Sequence, residues 1–126
     1  MKQKVFQSLS DIAPAVTAHG EGEKFVFLSQ QDTTSAITQF AYGKFLPGES
    51  CAMHLHPTME ECFFFIDGEG EYTIDDVVYS IKPNCFLRIP AKTLHALKAT
   101  GTTPLLFVYY GVLFDYNVCK KIEQGK

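Results

Sequence analysis

Short apolar or alternating runs, separated by turn residues, recur along the whole chain. Runs of this length that are rich in β-branched and aromatic residues predict β-strands, because side chains alternate between the two faces of a strand. About ten such strands argue for an all-β sandwich or barrel. The predicted strands lie at residues 4–6, 25–29, 36–45, 50–56, 61–66, 71–74, 77–81, 86–89, 95–99 and 104–114.

Turn residues predict how some of these strands pair. The runs 71–74 and 77–81 are separated by two aspartates, which is typical of a β-hairpin. The strand 36–45 ends at a proline-glycine turn, so its predicted partner is the next strand, 50–56. The last run, 104–114, is apolar at both its odd-numbered and its even-numbered positions. This suits a strand covered on both faces or packed on one face against a partner subunit.

The inner face of the strand 36–45 is not determined by its pattern. One alternative places Phe40, Tyr42 and Lys44 inside, and the other places Gln39, Ala41 and Gly43 there.

Histidines concentrate in two segments, SCAMHLHPTMEECFFF and RIPAKTLHAL. His54 and His56 are two residues apart, so on a strand both imidazoles point to the same side. Pro57 interrupts the strand, and a chain that turns back would place Glu61 opposite the pair. Two nitrogens and one carboxylate oxygen suit a first-row divalent metal. His95 is the candidate fourth ligand, whereas His19 lies in a glycine-rich loop and is expected to be an exposed side chain.

The residues of the first segment occur at a characteristic spacing. In order, the spacing reads Gly48, five residues, His54-x-His56, four residues, Glu61, six residues and Gly68. This spacing resembles the first sequence motif of the cupins, and every defining residue is present. The resemblance implies a double-stranded β-helix, a small jelly-roll barrel with a metal inside. It also implies that such proteins often form homodimers.

A second segment is similar to the second cupin motif through Asn84, Pro90 and His95. Three of its positions depart from the family pattern: Asn84 and Lys92 stand where glycines are usual, and Ala99 replaces an asparagine. Asn84 can still turn the chain, since asparagine tolerates positive φ, but Lys92 puts the loop geometry in doubt. The metal ligands that the resemblance implies are His54, His56, Glu61 and His95.

Length, charge and apolar content narrow the class of protein. A chain of 126 residues has the typical length of one domain, so we expect a single cupin domain over 1–126. Within it we expect a motif core at 36–112, an N-terminal extension at 1–35 and a C-terminal tail at 115–126. The 11 Lys and Arg residues are scattered and the net charge is −3, which argues against a nucleic-acid partner. Neither a signal peptide nor an apolar run of membrane-spanning length is visible, so we expect a cytoplasmic protein with no membrane partner.

The four cysteines are expected to be reduced thiols. Strict alternation places Cys51 on the strand face opposite the histidines and Cys62 opposite Glu61. Both are therefore poor ligand candidates, and Cys85 and Cys119 have no CxxC partner.

Three imidazoles and one carboxylate would leave positions open on a divalent Zn, Fe, Mn or Ni ion. Two adjacent openings would admit a small molecule that chelates through paired oxygens, which favours a metal-dependent enzyme of dioxygenase or isomerase type. The alternative is a non-catalytic cupin that binds or senses a small, sugar-like ligand, and a weaker one is a purely structural metal. Candidate acid-base residues are Glu61, Tyr42 and Tyr109, with Lys44 and Tyr110 as further possibilities.

Overall fold

A computed structural model describes residues 4–17 and 20–113, which form ten strands and two single turns of 3-10 helix. The expectations for His19, Cys119 and the tail at 115–126 fall outside the described residues. Within the described part, neither of the three-residue helical turns is long enough to cross a membrane. The elements in chain order are a 3-10 turn at Leu9–Asp11, β1 Ala15–Val16, β2 Glu23–Ser29, a 3-10 turn at Gln30–Asp32, β3 Ile37–Phe45, β4 Ser50–His54, β5 Met59–Asp67, β6 Gly70–Ile74, β7 Val77–Ile81, β8 Phe86–Ile89, β9 His95–Ala99 and β10 Leu105–Leu113.

The strands form two antiparallel sheets that face each other. The six-stranded sheet has the order β1-β2-β3-β10-β5-β8, and the four-stranded sheet has the order β4-β9-β6-β7. Most neighbours in a sheet are not consecutive in sequence, because the chain passes repeatedly from one sheet to the other. This is the double-stranded β-helix, and the all-β prediction is confirmed.

Apolar and aromatic side chains fill the space between the sheets. The rings of Phe63 and Tyr72 pack edge to face at 5.3 Å between centroids, across the two sheets. Phe107 on β10 contacts both Phe63 and Phe65 of β5 with centroids at 5.6 and 5.4 Å. The buried apolar set comprises Phe45, Phe63, Phe65, Tyr72, Ile81, Leu87, Ile89, Leu97, Ala99, Leu105 and Phe107.

Strand pairing differs from the prediction at one important place. β3 pairs with β2 and β10, and β4 pairs with β9 in the other sheet. The predicted pairing of β3 with β4 was wrong because both edges of β3 are already occupied. The turn at 46–49 therefore carries the chain between the sheets. The predicted strand at residues 4–6 was also wrong, since this segment has no strand structure.

The structure resolves the open question about β3. Ala41, Gly43 and Phe45 are buried on the inner face. Tyr42 lies on the outer face, where its ring contacts that of Phe25 at a centroid distance of 6.0 Å. Gly43 has no room for a side chain, because an added Cβ would lie 2.3 Å from the ring of Phe107.

Candidate metal centre

Three histidines converge at one end of the four-stranded sheet. His54 ends β4 and His95 begins β9, and the two are direct partners in the strand register. The ring of His54 lies 4.2 Å from that of His95 and 4.9 Å from that of His56 between centroids. One nitrogen from each of the three lies within 4.8 Å of the others, an arrangement that could hold a metal ion.

Glu61 reaches this cluster from the opposite sheet. Its Oε1 lies 3.3 Å from Nε2 of His56 and 3.6 Å from Nε2 of His95. The predicted antiparallel turn back after His56 was wrong, because residues 57 and 58 carry the chain across to β5 in the other sheet. Even so, alternation along β5 directs Glu61 inward with Phe63, so its carboxylate lies beside His56 and His95. Among the described residues, the group whose donor atoms all lie within 4.8 Å of one another consists of the three histidines and does not include Glu61.

Backbone carbonyls determine which imidazole nitrogen faces the interior. His54 Nδ1 lies 2.7 Å from the carbonyl oxygen of Ala52, and His95 Nδ1 lies 2.9 Å from that of Thr93. A carbonyl only accepts, so Nδ1–H donates in each case and Nε2 is left as the metal-binding nitrogen. Nε2 of His95 is buried without a hydrogen-bond partner. A buried, unsatisfied acceptor of this kind is rare and indicates a site for a ligand.

The spacing of these donor atoms fits a divalent metal. Metal–nitrogen and metal–oxygen bonds of about 2.0–2.2 Å place neighbouring donors about 3.0–3.4 Å apart. The separations of 3.3 and 3.6 Å between Glu61 Oε1 and the two Nε2 atoms are close to that range. Burial lowers the pKa of His95 from 6.5, which favours the neutral imidazole that metals bind.

The two turns that flank β8 accommodate the two unusual residues, Asn84 before this strand and Lys92 after it. Asn84 and Lys92 adopt positive φ values of 71° and 64°, the left-handed conformation that glycine would supply. The backbone N–H of Lys92 donates to the carbonyl oxygen of His56 at 2.8 Å. The two histidine-bearing segments are therefore joined directly through their backbones, with Lys92 in the left-handed conformation.

A cavity of about 260 Å³ lies beside the histidines. Its apolar wall comes from strands of both sheets, β10 among them. Tyr109, one of the candidate acid-base residues, belongs to this wall. The residues around the cavity are Thr17, Lys24, Gln39, Phe45, Cys51, His54, His56, Met59, Glu61, Phe63, Tyr72, Leu97, Phe107 and Tyr109.

Three other acid-base candidates lie away from the cavity. Tyr42 and Lys44 share the outer face of β3, and the ring of Tyr110 stacks on that outer face against Phe40 at 6.2 Å. The assignment of Tyr42 to the site is therefore corrected. The reason is the alternation of β3, which directs Gln39 and Ala41 inward and leaves Tyr42 outside.

A β-bulge in β4 changes the position of Cys51. The register of β4 with β9 shifts between Cys51 and His54, and the two intervening residues, Ala52 and Met53, are both exposed. Cys51 therefore faces the cavity with the histidines, 3.8 Å from His54 Nδ1, and the prediction of opposite faces was wrong. Burial, with the carboxylate of Glu61 nearby, raises the pKa of the Cys51 thiol to about 11.

The cavity contains the polar residues Lys24 and Gln39. Gln39 belongs to one of the two alternatives for the inner face of β3, whereas nothing in the sequence pattern indicated Lys24. Lys24 donates to Gln39 Oε1 at 3.4 Å, and Gln39 Nε2 donates to the hydroxyl of Tyr109 at 3.4 Å. In the segment EKFVFLS, the phenylalanines mark one face as the apolar one, and Lys24 lies on the other. The phenylalanine face is nevertheless the outer one, so the pattern of apolar residues did not indicate that Lys24 faces the cavity.

Comparison with known families and proteins supports the identity of the fold. The family model described as the cupin domain matches residues 41–111. A crystal structure from Thermotoga maritima, described as a predicted oxalate decarboxylase, superposes with a TM-score of 0.81 at 25% sequence identity, covering 87% of this chain and 100% of that one.

Two curated proteins match shorter stretches of the chain. A 5-nitrosalicylic acid 1,2-dioxygenase from Bradyrhizobium is 38% identical over 55 residues, which are 44% of this chain and 26% of that protein. An uncharacterized protein of Methanocaldococcus jannaschii is 33% identical over 58 residues, 46% of each chain. The match thus spans less than half of either relative.

Proposed function

The chain belongs to the cupin family, and we propose that it binds one divalent metal ion through His54, His56, Glu61 and His95 and acts on a small molecule that chelates this ion through oxygen atoms. The observation that carries this proposal is the unsatisfied Nε2 of His95. It is buried, lies 3.6 Å from Glu61 Oε1 and belongs to a cluster of three imidazoles, two of which, His54 and His56, border a cavity. Zn, Fe, Mn and Ni all accept this set of donors.

The chemistry that such an ion supplies is polarisation of an oxygen ligand, to which iron adds reaction with O2. The chain itself supplies an apolar wall, which excludes water from the bound molecule. It also supplies the hydroxyl of Tyr109, whose pKa is raised by burial and by the charge of Glu61. Tyr109 therefore stays protonated and acts as a hydrogen-bond donor to the bound molecule.

The names of the relatives support a substrate with adjacent oxygen donors. One curated relative is named for 5-nitrosalicylic acid, and one similar structure is described as a predicted oxalate decarboxylase. Salicylic and oxalic acids both present two oxygens that can chelate one metal ion. We therefore favour an oxygenase or another metal-centred reaction of a small oxygenated acid or phenol.

A second candidate function is ligand binding without catalysis. Among the described residues that line the cavity, Glu61 is the only carboxylate, and it belongs to the proposed ligand set. An isomerase needs a base within hydrogen-bond reach of its substrate. The absence of an independent carboxylate from that lining favours metal-centred chemistry or simple binding over acid-base isomerisation.

Metal analysis and turnover test the proposal in one series. Wild-type protein purified without chelators should carry one ion per chain, and His54→Ala should carry almost none. Cys51→Ala is the matched control, because Cys51 contacts His54 but is outside the proposed ligand set. Metal retention by His54→Ala would contradict the ligand assignment.

Catalysis is tested with the iron-loaded protein. Oxygen uptake or product formation would be followed with catechols, hydroxy acids and 2-oxo acids. Turnover that His54→Ala abolishes would support the enzyme. A metal-loaded protein that binds these compounds without converting any would support the binding module.

A further inference from the structure

Lys24 is a cation on the inner face of the barrel. In the register of β2 with β3 it pairs with Gly43, whose inner-face space is filled by the ring of Phe107. Its neighbour Phe25 faces outward against Tyr42. Lys24 is only partly exposed and lines the same cavity as the histidines. An inward lysine at a strand position that could have been apolar is costly unless its charge has a use.

Among the described residues no carboxylate forms an ion pair with Lys24, and its ammonium group donates to the amide oxygen of Gln39 at 3.4 Å. By contrast, the exposed Lys4 and Arg88 each have a carboxylate partner, at 2.9 and 2.7 Å. The positive charge that faces the cavity is therefore uncompensated by the described part of the chain.

Gln39 and Tyr109 connect Lys24 to the metal side of the cavity. Both polar atoms of the Gln39 side-chain amide form hydrogen bonds: its oxygen accepts from Lys24 and its nitrogen donates to the hydroxyl of Tyr109. The phenol proton of Tyr109 is therefore directed to another acceptor. Two donors, the ammonium group and the phenol, line one side of the cavity.

The register fixes the backbone separation between Glu61 and Gln39, the residue whose amide oxygen accepts from Lys24. Gly111 of β10 pairs with Gln39 on one side and with Glu61 on the other. Gln39 and Glu61 are thus two strand spacings apart, about 10 Å. The rings of Phe63 and Phe107 line the same cavity as these two residues. This span suits a flat ring with chelating oxygens at one end and an anionic group at the other.

We propose that Lys24 binds a carboxylate of the ligand, and that the ligand class is a small aromatic or unsaturated carboxylate whose oxygen pair chelates the metal at its opposite end. This inference rests on the proposed function for the position of the chelating end. It adds the charge of the ligand, the residue that recognises this charge and the orientation of the ligand in the cavity.

Titration calorimetry with the zinc-loaded protein at pH 7 tests the inference by binding rather than by activity. The probes are 3,4-dihydroxybenzoate and 3,4-dihydroxybenzamide, which share the chelating diol and differ in the charge of the remote group. Wild-type protein should bind the benzoate about tenfold more tightly than the amide, since hydrogen bonds to charged groups contribute more than neutral ones. Lys24→Met should abolish this preference by weakening only the benzoate, and Lys24→Arg should retain most of it.

Lys44→Met is the matched control, because Lys44 carries the same charge on the outer face of the same sheet. It should leave the preference unchanged. Equal binding of the two probes by wild-type protein, a preference that survives in Lys24→Met, or failure of both probes to bind would each overturn the inference. The proposed function fails separately, if zinc itself does not bind or if His54→Ala retains it.

Discussion

Oε1 of Glu61 lies 3.3 Å from Nε2 of His56, although Glu61 belongs to the six-stranded sheet and His56 follows a strand of the other. The proposed metal would therefore join the two sheets of the barrel. Removing a donor should weaken metal binding and also reduce the stability that the metal adds.

Glu61→Gln should lower zinc affinity by about 100-fold or more, since even the outer partners of metal ligands are each worth about 10- to 100-fold. The measurement is competition with a chelator, together with the rise in melting temperature on adding zinc. Glu60→Gln is the control, because Glu60 points outward and pairs with Arg88 at 2.7 Å. Equal zinc affinity in the two variants would exclude Glu61 from the ligand set.

The two glycines that bound the first motif should respond differently to alanine. Both have positive φ, 89° at Gly48 and 84° at Gly68. An added Cβ at Gly48 meets nothing within 4 Å, whereas at Gly68 it would lie 2.3 Å from the carbonyl oxygen of Pro104. Gly48→Ala should cost about 1 kcal/mol from the backbone conformation alone. Gly68→Ala should cost about 3 kcal/mol or more, because backbone must move as well.

Urea unfolding of the metal-free protein measures both changes. A smaller loss for Gly68→Ala than for Gly48→Ala would mean that the turn between β5 and β6 does not pack as the structure shows. If Gly68→Ala does not fold, its yield of soluble protein compared with Gly48→Ala gives the same ranking.

Lys92→Gly should stabilise the protein by about 0.5–1 kcal/mol. The left-handed conformation destabilises the folded state by about 1–2 kcal/mol for a residue with a side chain, and glycine removes this strain. Glycine also loses more conformational entropy on folding, which offsets about 0.5–1 kcal/mol of the gain. The N–H that donates to His56 is kept, so the loop retains its contact. Lys98→Gly, at an exposed position within β9, should instead destabilise. Destabilisation by Lys92→Gly in urea unfolding would contradict the strain at this position.

Alkaline pH should reduce stability through the buried tyrosines. Burial is the main cause that raises the pKa of both Tyr72 and Tyr109 above 10.0, with a contribution from the charge of Glu61. A folded pKa above the unfolded one gives stability that is complete below pH 10 and is lost as pH rises beyond it, because the unfolded phenol ionises first.

The free energy of unfolding, measured in urea between pH 8 and pH 11, should fall less steeply in Tyr72→Phe than in the wild type. Tyr79→Phe is the control, since Tyr79 is the exposed cross-strand partner of Tyr72. Identical slopes for all three proteins would show that the Tyr72 phenol is not the group responsible.

The elements that depend on residues close in sequence were predicted from the sequence. The hairpin of β6 and β7, the strand β8 and the start of β9 at His95 all follow from turn residues and alternation within a few positions. The four candidate ligands came from spacing and from the family resemblance. The structure clusters the three histidines and places Glu61 beside two of them, whereas the four-residue ligand set, the homodimer, the cytoplasmic location and the catalytic roles stay predictions.

The remaining features depend on interactions that are distant in sequence. β3 pairs with β10 rather than with its neighbour β4, and no local signal specifies this pairing. The inward direction of Lys24 follows from which face of β2 meets the other sheet, so alternation alone could not orient it. Cys51 was misplaced because a bulge breaks the alternation between it and His54.

The bulge also constrains how β4 can vary. Ala52 and Met53 are adjacent, exposed and opposite no paired residue of β9, so one of them is an extra residue in the strand. Replacing either side chain would leave His54 oriented as it is. Deleting one would leave Cys51 and the histidine two residues apart, so simple alternation would still direct both side chains into the barrel. What the bulge adds is the carbonyl of Ala52, which accepts from His54 Nδ1 at 2.7 Å, and a deletion should lose this hydrogen bond while keeping both side chains on the inner face.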